Sequence, residues 1–149
     1  MEEDRIQKAV ELFKSGYNCS QSVVAAFADM YGFTQEQALR MAASFGGGIG
    51  RMRETCGAAC GLFLVAGATE AADREGKAAN YAVVQELAAE FKKRNGSLIC
   101  AELLGLKKKE PVSTIPEERT AQYYSKRPCA KMVEEAARIW VEYLEKHPK

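Results

Sequence analysis

Apolar residues recur along this chain with a helical period. Ile6, Ala9, Val10 and Phe13 fall at i, i+3, i+4 and i+7, a single stripe on an α-helix, and Gly16 supplies a stop behind them. Cys19, Val23, Ala26, Phe27 and Met30 form a second stripe, with Asn18 as N-cap and Gly32 as stop. Thr34 and Gln37 have capping-box spacing for a third helix that turns Ala38, Met41, Ala42 and Phe45 inward. Gly46-Gly47-Gly48-Ile49-Gly50 then breaks the chain, because successive glycines are costly in a helix.

Thr55 is placed to cap a fourth helix starting at Cys56. That helix is apolar nearly all round, through Ala58, Ala59, Leu62, Phe63, Leu64, Val65 and Ala66. A helix without a polar face belongs in the middle of a bundle, and Gly57, Gly61 and Gly67 let neighbouring backbones come close. A fifth helix, about 77–94, turns Tyr81, Val84, Leu87, Ala88 and Phe91 inward and ends in Lys92, Lys93 and Arg94 before Asn95-Gly96. A short sixth begins near Ser97 and runs through Cys100 to Leu104. An irregular polar connection with Pro111 and Pro116 follows. The last helix begins near Pro128 and carries Val133, Ala136, Ala137, Trp140 and Leu144. No alternating strand pattern or repeat appears. The fold class expected is all-α: one domain over 1–149, a compact bundle of six to seven helices.

Composition narrows the function. Lys plus Arg is 21 against 20 for Asp plus Glu, so the chain lacks the broad positive field of a nucleic-acid binder. Lys107-Lys108-Lys109 reads as a solvated loop. The start, Met-Glu-Glu-Asp, has neither the basic nor the apolar part of a secretory signal. The longest apolar stretch, 56–68, is shorter than the roughly 18–20 residues of a membrane span. The expectation is a cytoplasmic protein with no membrane insertion, where structural disulfides are rare. Five cysteines then call for a metal, redox chemistry or simple burial.

Their positions matter more than their number. Cys19 follows Asn18, Cys56 follows Thr55, Cys100 lies three after Ser97, and Cys129 follows Pro128, a residue favoured at helix starts. All four fall in the first turn of an expected helix. Unpaired amides and the positive end of the helix dipole favour thiolate there, the form that binds metal or attacks a disulfide. Cys60, one turn after Cys56, lies inside its helix and reads as a buried bystander. No Cys-x-x-Cys is present, so the thioredoxin, zinc-ribbon and ferredoxin patterns do not apply. His147 sits in the tail, which leaves no Cys/His catalytic pair. Tyr17, Tyr123 and Tyr124 read as packing residues.

Cys56-Gly57-Ala58-Ala59-Cys60-Gly61, with Cys19 before it and Cys100 and Cys129 after, resembles the C_GCAxxG_C_C family of redox-active proteins. The glycine-rich segment 45–50 and the Gly16–Gln21 context of Cys19 look like the family too. The resemblance covers nearly the whole chain and implies redox use of Cys19, Cys56, Cys100 and Cys129; Cys60 takes a variable position. A more distant similarity, to the cluster-binding part of split-Soret cytochromes, carries no haem with it, because the haem motif is missing.

The glycine segment is not a nucleotide loop. Arg53 stands where a dinucleotide fingerprint needs glycine, and Gly-Lys-Ser/Thr is absent. Its bare backbone, Gly46, Gly47 and Gly48, together with Gly57 and Gly61, is suited to approach a bulky anionic group and donate N–H bonds to its sulfurs. Arg51 and Arg53 are placed to balance the charge. The leading expectation is an iron–sulfur cluster on the four cysteines for electron transfer to a redox partner protein. Metal-free thiol–disulfide chemistry is second. A structural zinc site and a non-enzymatic helical interaction domain follow, and self-association stays open.

Overall fold

The computed structural model describes residues 2–106, 113–121, 123 and 128–148. The Lys107–Lys109 cluster, Pro111 and Tyr124 lie outside the described residues. Seven α-helices are present among those described: α1 (Glu2–Lys14), α2 (Cys19–Phe27), α3 (Gln35–Ala42), α4 (Gly57–Gly67), α5 (Arg74–Asn95), α6 (Cys100–Leu103) and α7 (Cys129–Lys146). No strand occurs among the described residues, so the chain is all-α as its periodicity requires.

The first stripe folds as read. Ile6, Ala9 and Phe13 of α1 are buried and face α2 and α7. Asn18 caps α2, and the cap is tighter than its residue type alone implies. Its Oδ1 accepts from Gln21 N at 2.9 Å while its own N donates to Gln21 Oε1 at 3.0 Å. Beyond Phe27 the chain tightens into a 3-10 turn, Ala28–Tyr31, that closes at Gly32 with φ +83°. Three residues per turn instead of 3.6 rotates the stripe, and Met30, expected inside, is 40% exposed. The Thr34–Gln37 box caps α3 as expected. Ala38 and Ala42 are the buried residues of α3, and Met41 is exposed, against expectation.

Helix α4 runs through the centre, packed on α2, α5 and α7. Its capping differs from the sequence reading, because Cys56 itself, rather than Thr55, is the N-cap residue. Helix α5 starts three residues early, because Asp73 supplies a cap whose carboxylate accepts from Gly76 N at 2.7 Å. Gly76, Leu87 and Phe91 are its buried residues; Tyr81 is exposed, a further correction. Helix α6 begins at Cys100, three residues after Ser97, whose hydroxyl accepts from Ile99 N and donates to the Glu102 carboxylate. Helix α7 buries Val133, Ala136, Ala137 and Trp140, and the Trp140 indole N–H donates to Tyr31 Oη at 3.1 Å. Pro128 takes the N-cap position and Cys129 the first helical one. No helix among the described residues is long and apolar enough to cross a membrane.

Gly61 shows how closely α2 and α4 approach. A Cβ there would lie 2.9 Å from Val23 Cβ and 3.0 Å from Ser20 O. Alanine at this position gains about 1 kcal/mol of helix propensity but forces two backbones apart, an overpacking cost of about 1–3 kcal/mol. Because the obstruction is backbone, the cost wins. Gly61→Ala is expected to lower the urea midpoint, and Gly61→Val to lower it further.

Cys60, buried in α4 with its sulfur 3.8 Å from Thr55 O, has its thiol pushed up to about 11 by burial. The unfolded thiol ionises near 9.0 while the folded one keeps its proton. The native state therefore holds more protons between those values, and stability must fall as pH rises from about 9 to about 11. Urea midpoints measured across that range on metal-free protein should decline, and less steeply in Cys60→Ala.

Candidate functional site

Two segments far apart in sequence are stitched together ahead of α4 and α6. Cys56 N donates to Leu98 O at 2.6 Å, and Cys100 N donates to Glu54 O at 2.6 Å, around an antiparallel Thr55–Ile99 bridge. The two cysteines that follow these residues therefore enter their helices side by side. Gly48 fits against the pair: a Cβ on it would sit 2.6 Å from Cys100 Cβ. Gly57 does the same on the other flank, where a Cβ would lie 3.3 Å from Cys19 Cβ and 2.8 Å from Phe45 O.

The glycine segment has an unusual course. Gly47, Gly48, Ile49, Gly50, Arg51 and Arg53 all have φ between +55° and +77°, a left-handed path that L side chains adopt at a cost of about 1–3 kcal/mol each. Three of the six are not glycine. The turn is closed by Gly50 N to Ser44 O at 2.7 Å and Glu54 N to Gly48 O at 2.9 Å. It delivers Arg53 to the cysteines, with Nη1 3.7 Å from Cys100 Sγ.

Cys19, Cys56, Cys100 and Cys129 all line one cavity of about 60 Å³, with Gly47, Gly48, Gly57 and Arg53 in the same wall. Phe13, Leu103, Leu104, Tyr123, Pro128 and Met132 form its apolar part. Cys19, Cys56 and Cys100 are buried and Cys129 is half-buried; none is in a disulfide. Four of the expected residues thus meet, from the starts of four helices. Gly46 and Gly61 are not among the lining residues. Gly46 packs on the Asn18 side chain and Gly61 on α2. Cys60 faces Thr55 O and stays out of the cavity wall. His147 is exposed and stacks on Tyr143.

The electrostatics correct one expectation. The helix starts do not leave the Cys19 and Cys56 thiols acidic. Cys19 is pushed well above the ordinary thiol range, first by its contact with the Cys129 thiol and then by burial. Cys56 is pushed up to about 12 by burial; the amides of Ala59 and Ala58 pull the other way and only partly offset it. The helix-start effect is present, but desolvation is larger. A thiolate here needs a positive group beside it. Among the described residues, no three His, Cys, Asp or Glu side chains form a group that could hold a metal ion.

Arg119 was not legible as part of the site. It lies in the stretch read as irregular connection, yet it lines the cavity. Its guanidinium stands 4.4 Å from the Phe13 ring centroid and 5.0 Å from that of Tyr123. It donates to Phe13 O at 2.7 Å and Tyr17 O at 2.8 Å. A single arginine in a polar stretch carries no periodic signal that would have singled it out.

Searches of curated proteins and of solved structures found no match. A family model described as "Putative redox-active protein (C_GCAxxG_C_C)" matches residues 17–143. That span reaches from just before Cys19 to the start of the last turn of α7 and contains every cysteine of the cavity. The chain therefore belongs to the C_GCAxxG_C_C family.

Proposed function

We propose that Cys19, Cys56, Cys100 and Cys129 ligate an iron–sulfur cluster and that the protein carries electrons. The observation behind this reading is the meeting of four thiols, from four helix starts, on one cavity. Four thiolates are the usual ligand complement of such a cluster. The close fit of Gly48 and Gly57 leaves bare backbone where a Cβ would intrude. When bound, the cluster supplies one-electron chemistry. The chain supplies the ligands, an apolar wall that excludes water, and the Arg53 guanidinium beside Cys100.

A domain of this length does not need a metal in order to fold, which weighs against a structural zinc site. The raised pKa values of Cys19 and Cys56 favour a metal group over free-thiol chemistry. A buried neutral thiol is a poor nucleophile, whereas a metal group provides the positive charge that removes the proton.

One observation favours a second reading. The Cys129 thiol is the hydrogen-bond partner that raises Cys19 most, which makes this pair the candidate for reversible disulfide formation. Two thiols would give one disulfide, two protons and two electrons, the electrons passing to a disulfide on another protein. Under that reading oxidation consumes two alkylatable thiols and no iron is held.

Two outcomes follow from the cluster reading. Protein purified without oxygen from iron-supplied cells should carry iron and sulfide and show visible absorbance. Cys56→Ser should lose most of both, while Cys60→Ser retains them. Iron-free, colourless protein under those conditions ends the cluster reading. Arg53→Gln should lower the reduction potential by roughly tens of millivolts, because a positive charge near a ligand sulfur stabilises the more negative reduced state. Redox titration of the visible band measures it.

A further inference from the structure

Beside the thiol cavity lies a second, larger hollow of about 390 Å³. Its size falls within the roughly 300–1,000 Å³ of small-molecule sites; the thiol cavity is far smaller. Among the described residues, Arg51, Arg53 and Arg119 all line it, with one carboxylate, Glu117. The backbones of Gly47 and Gly50 form part of the floor, both in the left-handed conformation. Asn18, Gly47, Arg53, Arg119 and Tyr123 belong to both linings, so the hollow and the thiols are separated by a single layer of residues.

Backbone carbonyls orient two of the three arginines, Arg51 and Arg119. Arg51 Nη1 donates to Ser113 O at 2.9 Å and also to Ile115 O, and its Nη2 lies 3.6 Å from Glu117. Arg119 donates to Phe13 O and Tyr17 O. Arg53 gives Nη1 to Cys100 Sγ, one of the five N–H donors of a guanidinium. Three guanidinium groups on one hollow present the donor set that carboxylates and phosphates take in bidentate fashion.

We propose that this hollow binds a small molecule through a phosphate or carboxylate group and holds it next to the cysteines. The inference goes beyond electron transfer by a cluster: it assigns a ligand site, and that site exists whether or not metal is present. Arg53 is shared between ligand and sulfur, so occupancy of the hollow is felt at Cys100.

The test uses reduced, metal-free full-length protein at low ionic strength. Inorganic phosphate and malonate are titrated separately by calorimetry, which distinguishes the two anion sources. Binding of one of them at 1:1 is expected, with amide shifts at Gly47 and Gly50 in ¹H–¹⁵N spectra. Arg53→Gln should weaken it at least ten-fold, while Lys93→Gln, an equal charge change on exposed α5 surface, should leave it unaltered. No binding of either anion overturns the proposal. So does binding that is unchanged in folded Arg53→Gln, or tighter binding of a glutamate-rich peptide than of either small anion. Iron content is measured independently, so a failure here is distinct from a failure of the cluster reading.

Discussion

Two short backbone hydrogen bonds carry much of the architecture of the site. The Cys56 and Cys100 amides donate to Leu98 and Glu54 and join segments more than forty residues apart. Each bond satisfies an amide at a helix start, where no intrahelical acceptor exists. A third bond, from Ala101 N to Arg53 O at 3.2 Å, strengthens the same tie ahead of α4 and α6. The local geometry of the cavity follows from this tie.

The left-handed segment is the price of that alignment. Ile49, Arg51 and Arg53 hold φ near +60°, which their side chains oppose. Such strain persists only where the surroundings over-determine it. Here the turn is clamped by its own hydrogen bonds, by the carbonyls that hold Arg51, and by the packing of Gly46 on Asn18 and Gly48 on Cys100. The strain concentrates where the functional residues are, and it brings Arg53 to a sulfur. Two properties of the chain meet there: glycines allow the path, and arginines at its end give the path a chemical purpose.

The thiols illustrate a competition between two effects of known sign. A helix start lowers a thiol pKa and burial raises it. At Cys56 both act, and burial prevails. A protein that wanted a reactive free thiol would leave it partly in water. This one buries three of the four and places all four around one cavity, the arrangement on which the proposed cluster rests. Arg53 and Arg119 reach the same place from the polar side, which connects the sulfur chemistry to a charged hollow open to small anions.

Much of this was written in local patterns. The helical period of Ile6, Ala9 and Phe13, the Thr34–Gln37 box and the apolar run of α4 each depend on residues a few positions apart, so helices, caps and the placement of four cysteines at helix starts were legible. The exceptions were also local in cause: a 3-10 turn carried Met30 outward, and Asp73 drew the start of α5 forward. The meeting of Cys19, Cys56, Cys100 and Cys129 was suggested by family resemblance but decided by tertiary contacts. So were the exclusion of Cys60 and Gly61 from the cavity, the rise in thiol pKa values, and the arrival of Arg119 from a stretch with no pattern. Periodicity reports which face of a helix is buried; it holds no information about which helix ends converge, or about how much water they exclude when they do.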